Sequence, residues 1–243
     1  MNKNNLVFLD TETTGLGTED RLCQVAYAFA GAEYESLFKP PVPITIDAMA
    51  VTHITNRMVA EQEVFADSAM YKDLQAVFSA DNILVAHNAP FDVEMLKREN
   101  LLITKSIDTF KIAHHLDTEQ AVPRQSLQYL RYYYDLNVED AAAHSALGDV
   151  RVLQKLFAYF FEQMHATLGD EEKVLQAMLE ISARPILFKK FNFGKYTGRA
   201  VSEVAAEDSG YLGWLLNQKI MTRENGGEND ENWIYTLDYY LPH

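Results

Sequence analysis

A run of apolar residues, Leu6 to Leu9, leads straight into Asp10-Thr11-Glu12 and then into a turn-rich TTGLG segment. A run that short, bounded by turn residues, reads as a buried strand with acids at its end. Side chains two apart on a strand share a face, so the carboxylates of Asp10 and Glu12 can meet one ion while Thr11 turns away. Two later segments also carry an acid at an element boundary. ILVAHNAPFDVEMLKRE reads as a strand over Ile83 to Ala86, a turn over His87 to Pro90, and a helix from Phe91 with Val93, Met95 and Leu96 inward and Asp92 in its first turn. HSALGDVRVLQKLFAYFFEQM reads as a long amphipathic helix carrying Asp149, with His144 at or just before its start. Five residues span about 140° more than one turn at 3.6 residues per turn. His144 and Asp149 would therefore share no face if both were helical, and His144 is expected on the entering loop.

Each segment alone has an ordinary explanation. DxE can be a strand end entering a polar turn. Asp92 can be a first-turn acid meeting unpaired amides. His144 and Asp149 can be a helix-start histidine and a surface acid. Together they impose a stronger constraint, because a fold that gathers four carboxylates must offset their repulsion, and divalent cations do this. Carboxylate-held metal beside a histidine suits phosphodiester cleavage. An imidazole with its ordinary pKa, about 6.5, accepts a proton at neutral pH and fits a general base.

The order of elements sets the fold class. Leu6 to Ala30 reads as two strands joined by the TETTGLG turn, and Glu33 to Pro40 as a third, more polar strand. Short helices follow over Ile46 to His53 and Ala66 to Phe78, then the second acidic segment. Ser106 to Asp108 reads as a short strand running into a helix over Thr109 to Leu116; Ser126 to Leu136 and Leu147 to Leu168 read as helices. A strand meander followed by alternating strands and helices indicates an α/β fold, a mixed sheet covered by helices.

The motifs in this order resemble the DEDDh family of 3′→5′ exonucleases, which includes polymerase proofreading subunits, ribonuclease T, oligoribonuclease and exonuclease X. Asp10 and Glu12 match its first motif, Asp92 its second, and His144 with Asp149 its third. The resemblance covers about residues 5 to 165 and implies a ribonuclease H-like fold with a mixed five-stranded sheet. It also implies two Mg²⁺ or Mn²⁺ ions about 4 Å apart. Asp10 would bridge them, Glu12 and Asp149 would complete the inner site, and Asp92 would act through an ordered water. Catalytic residues are thus expected at Asp10, Glu12, Asp92, His144 and Asp149. Contacts to the terminal nucleotide are expected from Thr11, Thr13, Leu16, Val51, His53, Asn88 and Phe91. His53 has a core role as its alternative.

From Pro185 the chain is similar to the C-terminal region of the exonuclease X branch, through Phe193, Gly194, Lys195, Tyr196 and Gly198, then Tyr211, Leu212, Trp214 and Leu215. This implies a small C-terminal α+β module, with Lys195 as a substrate contact. The expected organisation is an exonuclease domain over 1–168, a connecting helix over 169–184, and the module over 185–243. Within the module, 224–231 reads as a mobile acidic loop and Trp233 to Leu241 as a short docking helix.

A formal net charge of −14 opposes nucleic-acid binding. Metal would neutralise the acids locally. Arg184, Lys189, Lys190, Lys195 and Arg199 form an acid-free stretch interleaved with Phe188, Phe191, Phe193 and Tyr196, suited to backbone contact and base stacking. A hairpin turn with solvated lysines is the plain alternative. The lone Cys23 lies in an apolar stretch and reads as a buried strand residue. His114, His115 and the Tyr132 to Tyr134 run read as structural. The lack of a signal-like start or a long apolar run makes the cytoplasm the expected location, with no membrane partner. The expected reaction is release of nucleoside 5′-monophosphates from DNA 3′ ends, with DNA favoured over RNA and replication or repair proteins as further partners. An exoribonuclease, a polymerase proofreading subunit and a non-catalytic nucleic-acid binder are the alternatives. Crowded like charges benefit a metal site and not a binder.

Overall fold

The structure is a computed structural model and describes residues 5–138, 145–225, 227 and 230–241. Its centre is a five-stranded mixed sheet in the order β3-β2-β1-β4-β5. The strands are β1 (Leu6–Thr13), β2 (Leu22–Phe29), β3 (Ala32–Leu37), β4 (Ile83–Ala86) and β5 (Ser106–Asp108). β1, β2 and β3 form the antiparallel meander, while β4 runs parallel to β1, and β5 parallel to β4. The C-terminal ends of β1, β4 and β5 therefore lie side by side, the usual place for a ligand in a sheet of this kind. This is the ribonuclease H-like architecture that the motifs imply.

Helices α1 (Ile46–Thr52), α2 (Asn56–Val59), α3 (Ala69–Ser79), α4 (Ala89–Arg98), α5 (Thr109–Leu116), α6 (Leu127–Tyr133), α7 (Ala146–Leu168) and α8 (Glu171–Ser182) complete this part of the chain. The four-residue α2 was not expected from sequence, being too short to show a period. α4 starts at Ala89, earlier than Phe91, because Asn88 takes a left-handed conformation (φ 69°) and Pro90 fits the first turn, where no amide partner is needed.

The burial of β1 alternates from Phe8 onward. Leu9, Thr11 and Thr13 are buried, and Phe8, Asp10 and Glu12 are partly exposed. The Leu9 side packs with Met95 and Leu96 of α4. On the other side, Phe8 meets Phe157 of α7 edge-on at 5.3 Å. The small Ala26 and Ala28 of β2 pack against Ala146 and Val150 at the start of α7. Cys23 is buried in β2, where desolvation pushes its thiol up to about 12.

The chain divides into two compact units, residues 1–113 with 124–182, and residues 114–123 with 183–243. α8, expected as a connector, belongs to the first unit. Its Val174, Leu175 and Met178 are buried, and the Ser182 hydroxyl accepts the Asp108 N–H at 2.8 Å.

The second unit has α9 (Val201–Glu207), α10 (Ser209–Glu224) and α11 (Glu231–Tyr240), and among the described residues its β component is a single antiparallel bridge, Lys190–Ala200. Trp233 is the centre of its core, stacked on Phe191 at 5.1 Å and Phe188 at 4.8 Å. Segment 114–123 joins this unit because the Gln120 side-chain oxygen accepts the N–H groups of Lys189 and Lys190, at 2.9 and 3.0 Å. His114 sits edge-on to Phe188 at 5.2 Å, and burial holds its pKa down at about 4, in keeping with a structural role. In the expected acidic loop, residues 226, 228 and 229 lie outside the described residues.

Candidate metal centre

Asp10 and Glu12 stand on the α7 face of β1, at the end where β1 leaves the sheet. A bulge in the β1–β2 ladder falls between Glu12 and Thr13. Asp149 arrives from α7, whose first turn is held in three ways. Ser145 caps it by accepting the Gly148 N–H, Glu35 of β3 accepts the Leu147 N–H at 3.0 Å, and Arg151 pairs with Glu33 at 2.7 Å. An acid on the first-turn amides suits the positive end of a helix. Carboxylate oxygens of Asp10, Glu12 and Asp149 lie within 4.8 Å of one another.

Asp92 is not in that group. It sits buried in the first turn of α4, where the Thr11 hydroxyl donates to its Oδ1 at 2.8 Å. Thr11 does turn away from Asp10 and Glu12, and in doing so it holds the fourth acid. Asp92 still faces Asp10, whose carboxyl is raised well above its usual value by burial first, then by Asp92, Glu12 and Asp149. Glu12 is pushed up to about 7 by burial and then by Asp149. Burial likewise lifts Asp92 to about 7, against the lowering Thr11 hydrogen bond and with a further rise from Asp108. Upward shifts from burial and from neighbouring acids are what a bound divalent cation would reverse. Carboxylate oxygens are the hard donors that Mg²⁺ and Mn²⁺ prefer. The cluster can hold a divalent metal.

The proposed base, His144, lies outside the described residues. Among the expected nucleotide contacts, Leu16 and Val51 are 88% and 57% exposed, apolar side chains left in solvent. The turn carrying Leu16 is built on Asp20, which accepts the Thr14 hydroxyl at 2.6 Å and the Gly17 N–H at 2.6 Å. A Cβ at Gly15 would come within 2.6 Å of that carboxylate, so any larger residue there would push the Asp20 side chain out of this arrangement. The Thr14 carbonyl accepts the Thr45 N–H at 2.9 Å, tying the start of α1 to the same turn. Ile46, the next residue, is 79% exposed. His53 is an exposed, left-handed C-cap of α1 (φ 60°), which removes its core alternative. Asn88 gives its N–H to Asp108 at 2.9 Å, Thr13 donates to the Gly15 carbonyl at 2.7 Å, and Phe91 packs partly buried against the core.

Two polar residues that the sequence did not single out shape the centre. Asp108, at the end of β5, accepts the N–H groups of Asn88 and Phe110 and so fixes the turn before Asp92. Gln128, on α6, donates through Nε2 to Asp149 Oδ1. The tyrosine run divides: Tyr134 packs on Tyr159 at 4.6 Å, whereas Tyr132 and Tyr133 are 72% and 49% exposed.

In the second unit, Lys189, Lys190, Lys195 and Arg199 of the basic stretch have internal partners. Lys195 pairs with Asp208 at 3.2 Å and lies 4.6 Å from the Tyr196 ring; Arg199 pairs with Glu207 at 2.9 Å. Lys189 donates to the Thr118 carbonyl.

Residues 7–157 match the family described as Exonuclease. The chain belongs to the exonuclease family. Residues 191–219 match a second family, the exodeoxyribonuclease X-like C-terminal region. Over 218 residues the exonuclease is 33% identical to exodeoxyribonuclease 10 of Escherichia coli strain K12, covering 87% of this chain and 90% of that one. It is 34% identical over 160 residues to the DNA polymerase III subunit epsilon of Treponema pallidum, covering 61% of this chain and 72% of that one. Among solved structures it is similar to exonuclease X in complex with 5′ overhanging duplex DNA, at a TM-score of 0.54 and 26% identity over 73% of this chain and 99% of that one. Among the described residues, no helix of the exonuclease is long and apolar enough to cross a membrane.

Proposed function

We propose that this exonuclease acts in the 3′→5′ direction on DNA 3′ ends, single-stranded or frayed, and releases nucleoside 5′-monophosphates with two Mg²⁺ or Mn²⁺ ions. The observation that carries the reading is the convergence of Asp10, Glu12 and Asp149 oxygens within 4.8 Å of one another at the C-terminal edge of the sheet. In this reading those three acids hold the cations, and Asp92, kept beside Asp10 by Thr11, completes the set. The cations would supply charge stabilisation and orientation at the scissile phosphate. His144 takes the proton from the attacking water. Leu16, Val51 and Phe91 pack the terminal nucleotide, with Thr11, Thr13, His53 and Asn88 as polar neighbours. Lys195 contacts the DNA backbone by exchanging Asp208 for a phosphate.

Identity to an exodeoxyribonuclease over most of the chain supports DNA over RNA, and the matched C-terminal region supports a distinct module after the catalytic domain, which takes in α8 and so extends past the expected 168 to about residue 182. The reading includes a cytoplasmic location and replication or repair proteins as partners. Similarity to polymerase epsilon subunits favours a second reading, a proofreading subunit, but that match covers less of the chain than the exodeoxyribonuclease does.

The test is hydrolysis of 5′-labelled single-stranded DNA and RNA oligomers of one sequence, with Mg²⁺ and with EDTA. A Mg²⁺-dependent ladder shortening from the 3′ end, faster on DNA, is the expected result. Metal-independent cleavage, internal cutting or a preference for RNA would each refute part of the reading.

A further inference from the structure

Gln128 occupies an unusual position for a neutral side chain. Its Nε2 donates to the Asp149 carboxylate, and its Oε1 is buried with no hydrogen-bond partner among the described residues. The reverse orientation of the amide would set two acceptors together, so the nitrogen faces the acid.

The helix beneath it is fixed at both ends. At the start of α6, the Gln125 carbonyl meets His87 Nε2 at 2.7 Å, and His87 follows directly on β4. At the other end, Leu130 is fully buried, and Tyr134, the C-cap, packs on Tyr159 and Phe160 of α7 at 4.6 and 5.9 Å. Gln128 thus reaches Asp149 from a support attached both to the sheet and to the helix that carries Asp149.

We infer that Gln128 is a positioning residue, holding the Asp149 carboxylate in the orientation that lets it share a divalent cation with Asp10 and Glu12. This rests on the metal-dependent reading above. An amide suits the task better than a cation would. Lysine or arginine would bind Asp149 more strongly but would place a positive charge where the metal belongs, whereas glutamine fixes one oxygen and leaves the charge of the cluster intact. Hydrogen bonds of this kind to metal ligands contribute on the order of 10- to 100-fold in metal affinity.

The test uses the full chain and Mn²⁺ as the probe. Gln128→Met keeps the length of the side chain and removes the donor. Free Mn²⁺, read by electron paramagnetic resonance during titration, should show binding weakened by about 10- to 100-fold in the variant. Turnover of thymidine 5′-monophosphate p-nitrophenyl ester should fall at low Mn²⁺ and recover as Mn²⁺ is raised, with KM for the ester unmoved. Mn²⁺ affinity within twofold of the parent protein would overturn the inference. So would a turnover loss that added Mn²⁺ does not restore, since Gln128 would then act on the substrate. If Gln128→Met does not melt cooperatively, Gln128→Asn, which stays polar but is one methylene shorter, carries the same measurement. A parent protein that binds Mn²⁺ yet hydrolyses neither ester nor oligomer would refute the proposed function, while the Mn²⁺ titration would still decide the role of Gln128.

Discussion

Removing one charge from the acid cluster should stabilise the metal-free protein. Glu12 is raised from 4.5 to about 7 by burial and by Asp149, so the folded state holds its proton more tightly than the unfolded chain does. The sign follows directly. Below about pH 4.5 the group has no effect on stability. Between 4.5 and 7 the unfolded chain ionises first and stability falls, and above 7 the loss is complete. At about 1.4 kcal/mol per pH unit the full loss is on the order of 3 kcal/mol, and solvent screening of a partly exposed carboxylate brings the working range to about 1–3 kcal/mol. Glu12→Gln keeps the shape and removes the charge. In EDTA at pH 8 it should melt about 2 to 12 °C above the parent, at roughly 2–4 °C per kcal/mol for a chain of this size. The parent should lose stability from pH 5 to pH 8 in EDTA and regain it with Mn²⁺, and the variant should do less of both. Circular dichroism is the right probe, because both tryptophans, Trp214 and Trp233, lie in the second unit and their emission would follow that unit. A Glu12→Gln protein no more stable than the parent in EDTA at pH 8 would refute the claim that the cluster stores repulsion.

Three further outcomes are expected. Asp10→Ala should abolish metal-dependent hydrolysis without unfolding the protein, measured as 3′-end degradation beside a thermal melt; retained activity would remove Asp10 from the centre. His144→Ala should slow turnover by about 10²- to 10⁴-fold and flatten the acidic limb of the pH–rate profile. An unchanged profile would make the histidine a bystander. Thr11→Val removes the hydroxyl that lowers the Asp92 pKa, so Asp92 should stay protonated to higher pH and the acidic limb should move to higher pH. A limb that stays in place, or moves to lower pH, would show that this hydrogen bond does not tune the site.

What could be read from the sequence follows the range of the forces involved. β1 and β4 announce themselves because each is a short apolar run, and α7 because its period holds over 23 residues. Asp10 and Glu12 share a face because strand geometry leaves no other option, and that relation needs no partner element. Asp92 is different. Its position depends on which face of the sheet α4 covers, and that choice is made by the packing of Met95 and Leu96 against Leu9, far away in the chain. The result is an acid bonded to Thr11 and close enough to Asp10 to raise its pKa, a placement that spacing could not express. Gln128 and Asp108 were missed for the same reason. Each is an unremarkable polar residue in its own segment, and its role exists only through a partner 20 or more positions away, Asp149 for Gln128 and Asn88 for Asp108. The second unit illustrates the point at larger scale. Its basic stretch looks like a nucleic-acid surface when read in order, because the acids that pair with Lys195 and Arg199, Asp208 and Glu207, come later in the chain and reach them only through α9 and the turn before α10. Charge read along a sequence counts neighbours in the chain; charge in the folded protein counts neighbours in space, and for Lys195 and Arg199 the two disagree.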